Sequence, residues 1–325
     1  MNLQWPADLG PGQLFLIGVV LLLMATQIVV WVLDRLEKHQ FGPVFLGTLV
    51  TPLCTGFPNL MIGLFGQERL SGDLVLQLNL GNNIANTSLV AGLIIFLAGP
   101  LTLGAPKAKS KKARRQRWDQ FVVLFFFWVS PAVVLWLAHD GRITRGDGAL
   151  LISLYGVYQI ISFMRRGKVA KKKRLPVFLC LLIILVLGLS AWLIQQSIGL
   201  LGQALDEVGG FFPGSHLGLF LGLLTVVPES FLMLRLAFKQ GSLGFNGLIG
   251  DCLVSVPLVI GLSALFHPIQ TTSLPHWHHA ALWPYVHLSV TMFFFTGLCL
   301  KKQPASRKLG LCFVVLYILV WWNSR

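Results

Sequence analysis

Residues 217–238 read LGLFLGLLTVVPESFLMLRLAF, and residues 241–262 read GSLGFNGLIGDCLVSVPLVIGL. Both segments are mainly apolar and reach about 20 residues, the length with which a helix crosses ~30 Å of hydrocarbon. Each carries one acidic residue near its middle, Glu229 in the first and Asp251 in the second. Such a pair predicts a hairpin of two membrane-spanning helices with a carboxylate on each helix.

The composition of the whole chain also indicates a membrane protein. Of its 325 residues, 55% are hydrophobic and only 12% are charged, whereas a soluble domain has roughly 25% charged residues. The net charge of +14 is concentrated in short loops near residues 107–117, 165–174 and 301–308. Basic loops beside membrane spans are typical topology determinants that contact anionic lipid, so membrane lipid is the expected partner and nucleic acid is not.

The apolar runs predict an all-α polytopic membrane protein with ten transmembrane helices. Most Lys and Arg residues fall in the loops that follow odd-numbered spans. By the positive-inside rule these loops are cytoplasmic, so both termini are expected outside the cell membrane. The predicted spans centre near residues 23, 54, 86, 128, 155, 186, 227, 254, 290 and 315.

An internal repeat relates the hairpin to an earlier part of the chain. Residues 45–66 and 72–93 read FLGTLVTPLCTGFPNLMIGLFG and GDLVLQLNLGNNIANTSLVAGL. Thr55 and Pro58 align with Thr225 and Pro228 at an offset of 170, and three glycines of the second helix also align. Because the copies lie five spans apart, they are predicted to cross the membrane in opposite directions, as in many secondary transporters.

The repeat divides the chain into two predicted five-helix halves joined by a basic cytoplasmic linker. The predicted boundaries are 1–164 for the first half, 165–174 for the linker and 175–325 for the second half, with the repeat motifs at about 43–100 and 217–266.

Glu229 and Asp251 are each about ten residues from the turn near Gln240, which places both about 15 Å deep, near the bilayer centre. A charged side chain there costs at least ~2.5 kcal/mol, so such residues are usually functional. Two carboxylates at one depth are expected to share a cation. The alternative is a structural pair, with one carboxylate protonated and bonded to an asparagine.

The remaining polar residues of the two hairpins offer neutral oxygens at similar depths. Hard cations such as Ca²⁺ take six to eight oxygen ligands from carboxylates, amides, hydroxyls and carbonyls. Na⁺ also prefers oxygen, so the residues alone leave Ca²⁺ and Na⁺ both open. The neutral residues are Thr55, Asn59, Asn82, Asn83, Asn86 and Thr225.

Four short motifs resemble the repeats of the sodium/calcium exchanger family, whose members have GTSLPE-like and GSNIxN-like motifs. The first motif reads CTGFPN at 54–59 and LTVVPE at 224–229, and the second reads GNNIAN at 81–86 and GDCLVS at 250–255. The resemblance implies ten spans in two inverted repeats and a cation antiporter, not an enzyme. It further implies alternating access that exchanges Ca²⁺, or a related cation, for Na⁺ or H⁺ as transported substrates, without a cofactor.

The departures from these motifs change the expected ligands. The family has one glutamate in each repeat; Glu229 matches the second, and Asn59 replaces the first. Asp251 occupies a motif serine position, and Ser255 replaces a motif asparagine that Asn86 retains. The predicted cation ligands are Glu229, Asp251, Thr225, Asn59, Thr55, Asn82, Asn86 and Ser255.

Three other functions are compatible with parts of the sequence. Loss of the first glutamate fits a non-transporting paralogue or scaffold, and a polar midplane fits an ion channel. A membrane metalloenzyme is the third, because His276, His278 and His279 lie close together in one loop. Their spacing matches no catalytic metal signature, and an interfacial loop explains them better. The oligomeric state is not predicted.

Overall fold

The computed structural model describes residues 9–38, 56–65, 72–99, 111–164, 177–208, 214–239, 241–271, 279–300 and 304–323. These residues are nearly all helical, in agreement with the predicted all-α class. The α-helices are α1 (Pro11–Lys38), α2 (Phe57–Phe65), α3 (Gly72–Ala85), α4 (Ala91–Ala98), α5 (Lys111–Leu137), α6 (Arg145–Met164), α7 (Val177–Val208), α8 (Gly214–Lys239), α9 (Gly241–Leu253), α10 (Ile260–Phe266), α11 (His279–Leu300) and α12 (Arg307–Asn323).

Seven segments in the described ranges are long and apolar enough to cross a membrane. They coincide with predicted spans one, three, four, five, six, eight and nine. Predicted spans two, seven and ten correspond to α2, α8 and α12, which do not meet the same criterion over their described residues. The chain is therefore a multi-pass membrane protein, while the count of ten spans and the division at 165–174 stay predictions.

Two long helices each contain a π-helical segment at matching places in the repeat. Segment π1 (Asn86–Val90) joins α3 to α4, and segment π2 (Val254–Val259) joins α9 to α10. In the sequence repeat Asn86 aligns with Ser255, so the two segments begin at nearly the same position. π-Helical segments are rare and often lie at functional sites.

Paired glycines hold each of these long helices against a neighbour. A methyl group added to Gly92 in α4 would lie 2.7 Å from the carbonyl oxygen of Gly310 in α12. At the repeat-related position in α10, a methyl group added to Gly261 would lie 3.0 Å from the carbonyl oxygen of Gly148 in α6. Only glycine allows such an approach of two backbones, which is a common device of membrane helix packing.

Helices α1 and α7 form an antiparallel pair beside this centre. The hydroxyl of Ser197 donates to the carbonyl of Gly18 at 2.6 Å, and that of Ser190 donates to the carbonyl of Ala25 at 2.9 Å. Residue numbers rise along α1 as they fall along α7, so the two helices run in opposite directions.

A short two-stranded sheet is the part of the fold that the all-α prediction missed. Strand β1 (Arg142–Ile143) pairs antiparallel with strand β2 (Ile269–Gln270). The start of α3 lies beside it, because a methyl group on Gly72 would meet the backbone of Gln270 at 2.8 Å. Strands β1 and β2 and the start of α3 therefore lie on one side of the molecule.

The outer faces of the helices are apolar and the centre is polar. Met164, Leu185 and Phe293 are 78%, 68% and 67% exposed, which suits contact with lipid. By contrast, Asn59, Asn82 and Asp251 have no exposed surface. A soluble protein shows the reverse distribution.

Candidate cation-binding site

Asn86 bridges the two repeat motifs. Its side-chain nitrogen donates to the carboxylate of Asp251 at 2.7 Å and to the side-chain oxygen of Asn82 at 3.1 Å. Asn82 and Asn86 are four residues apart and so lie on one face of their helix. Both distances lie within the ordinary range for N–H···O hydrogen bonds. The structure thus joins one predicted carboxylate to two predicted amides, 165 residues away in sequence.

Thr225 extends this network into α8. Its hydroxyl accepts from the side-chain nitrogen of Asn82 at 3.2 Å and donates to the carbonyl of Gly222 at 2.9 Å. A hydroxyl can donate one hydrogen bond and accept others, so Thr225 acts both as the donor to Gly222 and as the acceptor from Asn82. The hydrogen bonds therefore run in one direction, from Asn86 through Asn82 and Thr225 to the backbone.

The helices α3 and α8 approach closely at the same place. A methyl group on Gly222 would lie 2.5 Å from the backbone nitrogen of Asn82 and 2.7 Å from the backbone of Gly81. The sequence interpretation overlooked Gly222, although its spacing of four residues from Gly218 is a signal of close helix packing. This contact sets the distance over which Thr225 reaches Asn82.

Several buried oxygens of the repeat motifs have no hydrogen-bond partner among the described residues. Asn59, Asn86 and Ser255 are 0%, 1% and 0% exposed. A buried polar atom without a partner costs about 1–3 kcal/mol, and an amide or hydroxyl oxygen is a good ligand for a hard cation. The oxygens concerned are Asn59 Oδ1, Asn83 Oδ1, Asn86 Oδ1 and Ser255 Oγ.

The position of Asn59 in α2 relates it to the second repeat. Gly63 lies one turn after Asn59 on the same face, and a methyl group there would meet Ser263 and Val259. Asn59 therefore belongs to the face of α2 that packs against π2 and α10. The side-chain nitrogen of Asn59 also lacks a partner among the described residues.

Two further contacts tie α3 and π1 to their neighbours. The side-chain nitrogen of Asn83 donates to the carbonyl of Cys252 at 3.4 Å, and the hydroxyls of Thr87 and Thr291 are 3.0 Å apart. The sequence indicated Asn83 as a polar residue of the first hairpin but indicated neither contact. A contact across 169 residues leaves no local pattern that could have revealed it.

Some predicted residues cannot be placed in the network. Thr55, His276 and His278 lie outside the described residues. Glu229 occupies α8 one turn after Thr225, and its side chain is outside the described part of the chain, as is that of His279. In the described ranges, no group of three or more His, Cys, Asp or Glu side chains could hold a metal ion.

A family model described as "Sodium/calcium exchanger protein" matches residues 12–164 and 174–324, nearly the whole chain. The chain belongs to the sodium/calcium exchanger family. This membership confirms the resemblance that the motifs carried. Because members of this family are cation antiporters, it also confirms that the chain is a transporter rather than an enzyme. The metalloenzyme built on His276, His278 and His279 is excluded on this ground.

Individual relatives agree with the family match. The inner membrane protein YrbG of Escherichia coli K12 is 23% identical to this chain over 342 residues, which cover 95% of this chain and 98% of YrbG. A structure of the sodium-calcium exchanger NCX_Mj soaked with 2.5 mM Na⁺ and 10 mM Sr²⁺ superposes with a TM-score of 0.65 and 16% identity, over 97% of this chain and 99% of that one. A second NCX_Mj structure, soaked with 10 mM Na⁺ and no Ca²⁺, superposes with a TM-score of 0.64 and 17% sequence identity, with the same coverage. At these identities the likeness establishes the fold.

Proposed function

We propose that this exchanger-family protein exchanges Ca²⁺, or a related cation, for Na⁺ or H⁺ at a site between its two repeat motifs. The observation that carries the proposal is the contact of Asn86 with the fully buried carboxylate of Asp251. Buried amide and hydroxyl oxygens of both repeat motifs, among them Asn86 Oδ1 and Ser255 Oγ, have no partner among the described residues. A carboxylate with several neutral oxygens is the ligand set that Ca²⁺ and Na⁺ prefer.

The proposed ligands are Glu229, Asp251, Thr225, Asn59, Thr55, Asn82, Asn86 and Ser255. In this arrangement both carboxylates come from the second repeat, while the first repeat supplies amides and a hydroxyl. Two negative charges balance one Ca²⁺ or two monovalent ions, which gives a physical basis for their competition at one site.

The proposed scaffold has ten membrane helices in two inverted halves, with the basic loops in the cytoplasm and both termini outside. Three features support the inversion: the antiparallel pair of α1 and α7, the matching positions of π1 and π2, and the repeat-related glycine contacts. Inverted halves bring the middle of each half together near the midplane, where transporters bind their substrates.

Alternating access would arise from movement of the α1–α7 pair against the centre. Buried apolar side chains form the contact, among them Leu22 of α1, Ile194 of α7 and Leu78 of α3. Apolar contacts have no fixed direction, so these side chains can slide past one another as the pair shifts along the centre. The midplane site would open to each side in turn.

The test is exchange in proteoliposomes, measured as uptake of radiolabelled Ca²⁺ driven by an outward Na⁺ or H⁺ gradient. We expect Glu229→Gln to abolish exchange and Asp251→Asn to impair it strongly, because each removes a negative charge from the site. Asp140→Asn is the matched control, since Asp140 is exposed and pairs only with Arg142 at 3.9 Å within the described structure. Unchanged flux in both site variants would refute this site.

A non-transporting relative is the second candidate, and Asn59 is the observation in its favour. This residue replaces a family glutamate, and both polar atoms of its side chain lack partners among the described residues. A wild-type protein that folds and inserts correctly but shows no flux with either gradient would favour this candidate over the antiporter.

A further inference from the structure

Two asparagine amides, one in α3 and one at the start of π1, contact two consecutive residues of α9. Asn86 bonds the side chain of Asp251, and Asn83 bonds the backbone carbonyl of Cys252. Asn83, Asp251 and Cys252 are all buried. The carboxylate and the backbone that carries it are therefore both tied to the opposite repeat.

The contact of Asn83 lies beside a change of helical register. Cys252 is in the last turn of α9, and Leu253 separates it from π2. A bond to the carbonyl of Cys252 constrains the backbone directly after Asp251.

We propose that Asn83 is a positioning residue for the cation site. By holding the junction of α9 and π2, it keeps the carboxylate of Asp251 directed at Asn86 and at the cation. The inference rests on the proposed function, in which Asp251 is a cation ligand. It predicts that loss of the Asn83 donor weakens cation binding while the transport step keeps its maximal rate.

Asn79 provides a matched control in the same helix. It is also an asparagine of α3, it has no exposed surface, and its side-chain oxygen has no partner among the described residues. Its nitrogen, however, donates at 2.9 Å to Val75 in its own helix. Asn79 therefore matches Asn83 in residue type, helix and burial, and differs in what it bonds.

The experiment compares Asn83→Leu with Asn79→Leu in reconstituted full-length protein. For Asn83→Leu we expect the Ca²⁺ concentration at half-maximal flux to rise about five- to tenfold, the effect of losing one buried hydrogen bond, with maximal flux within about twofold of wild type. For Asn79→Leu we expect both values within about twofold of wild type. Equal effects of the two substitutions would overturn the proposal.

A double substitution separates positioning from direct ligation. If Asn83 acts through the carboxylate of Asp251, Asn83→Leu should change the half-maximal Ca²⁺ concentration by less than about twofold in an Asp251→Asn background, because the group that it positions is already lost. If Asn83 instead binds the cation through its own oxygen, Asn83→Leu will weaken Ca²⁺ binding as much in that background as in wild type, and the positioning role is refuted.

Ca²⁺-dependent thermal stabilisation of the purified protein distinguishes this proposal from the proposed function. Wild type that is stabilised by Ca²⁺ but shows no exchange would refute the antiporter and leave the positioning role testable. In that assay Asn83→Leu should need about five- to tenfold more Ca²⁺ for the same rise in melting temperature. An unshifted Ca²⁺ dependence would overturn the positioning role.

Discussion

Thr225 shows how much of the site depends on a single hydroxyl. It accepts from Asn82 and donates to Gly222, so it links the amides of α3 to the backbone of α8. Thr225→Val keeps the shape of the side chain but leaves the amide of Asn82 with an unpaired donor. Such a loss costs about 1–3 kcal/mol, so we expect the half-maximal Ca²⁺ concentration for exchange to rise roughly tenfold.

The control for this prediction is Thr26→Val. Thr26 is as buried as Thr225 and also donates to a carbonyl of its own helix, that of Leu22 at 2.9 Å. It lies in α1, away from the amide network. If Thr26→Val alters Ca²⁺ dependence as much as Thr225→Val, the hydroxyl of Thr225 has no particular role in the site.

The residues of the site were more predictable than their contacts. Apolar runs and midplane depth identified Asp251, Asn82, Asn86 and Thr225, because a polar residue within a membrane span stands out against its neighbours. Their pairing was not predictable, since it depends on how α3, α8 and α9 cross. The direct bond of Asn86 to Asp251 is the clearest case, because nothing in either motif distinguishes it from other pairings.

At the scale of helices, the crossing of α3 and α8 is set by Gly222. A methyl group there would overlap the backbone of Asn82 and Gly81, so Gly222→Ala must push the helices apart. Overpacking of this kind costs about 1–3 kcal/mol, and the shift also separates Thr225 from Asn82. We expect both a melting temperature lower by several degrees and a loss of most exchange activity.

Gly188→Ala is the comparison for this substitution. Gly188 lies within α7, and a methyl group there would meet no atom within 4 Å. Alanine is the better helix former by up to about 1 kcal/mol, so this variant should be at least as stable as wild type and fully active. Equal loss of stability in both variants would show that Gly222 has no special contact.

The positions of the helices could be predicted from the apolar runs of the sequence, but the π-helical segments within them could not. The predicted turn at Gln240 agrees with the end of α8 at Lys239 and the start of α9 at Gly241. Proline usually kinks or breaks a helix, yet α8 continues through Pro228. The π-segments went unpredicted, because a one-residue change of register leaves no mark in an apolar stretch and π1 contains no proline.

For the whole molecule, the proposed mechanism requires the α1–α7 pair to move as a unit against the centre. Two contacts allow movement of the pair against the centre to be distinguished from movement within the pair. Phe15 of α1 stacks on Phe220 of α8 with ring centroids 5.8 Å apart, whereas Ser190 and Ala25 join α7 to α1 within the pair. A link across the first contact should stop alternating access, and a link across the second should not.

The experiment uses a background in which the five native cysteines are replaced by serine or alanine. Cysteines at Phe15 and Phe220, joined by a short reducible bifunctional thiol reagent, should reduce exchange at least tenfold, and reduction should restore it. Cysteines at Ala25 and Ser190, treated in the same way, should leave exchange within about twofold of the untreated protein. Full exchange in the linked Phe15–Phe220 variant would rule out movement at this boundary, because a pair fixed to α8 cannot expose the midplane site to both sides.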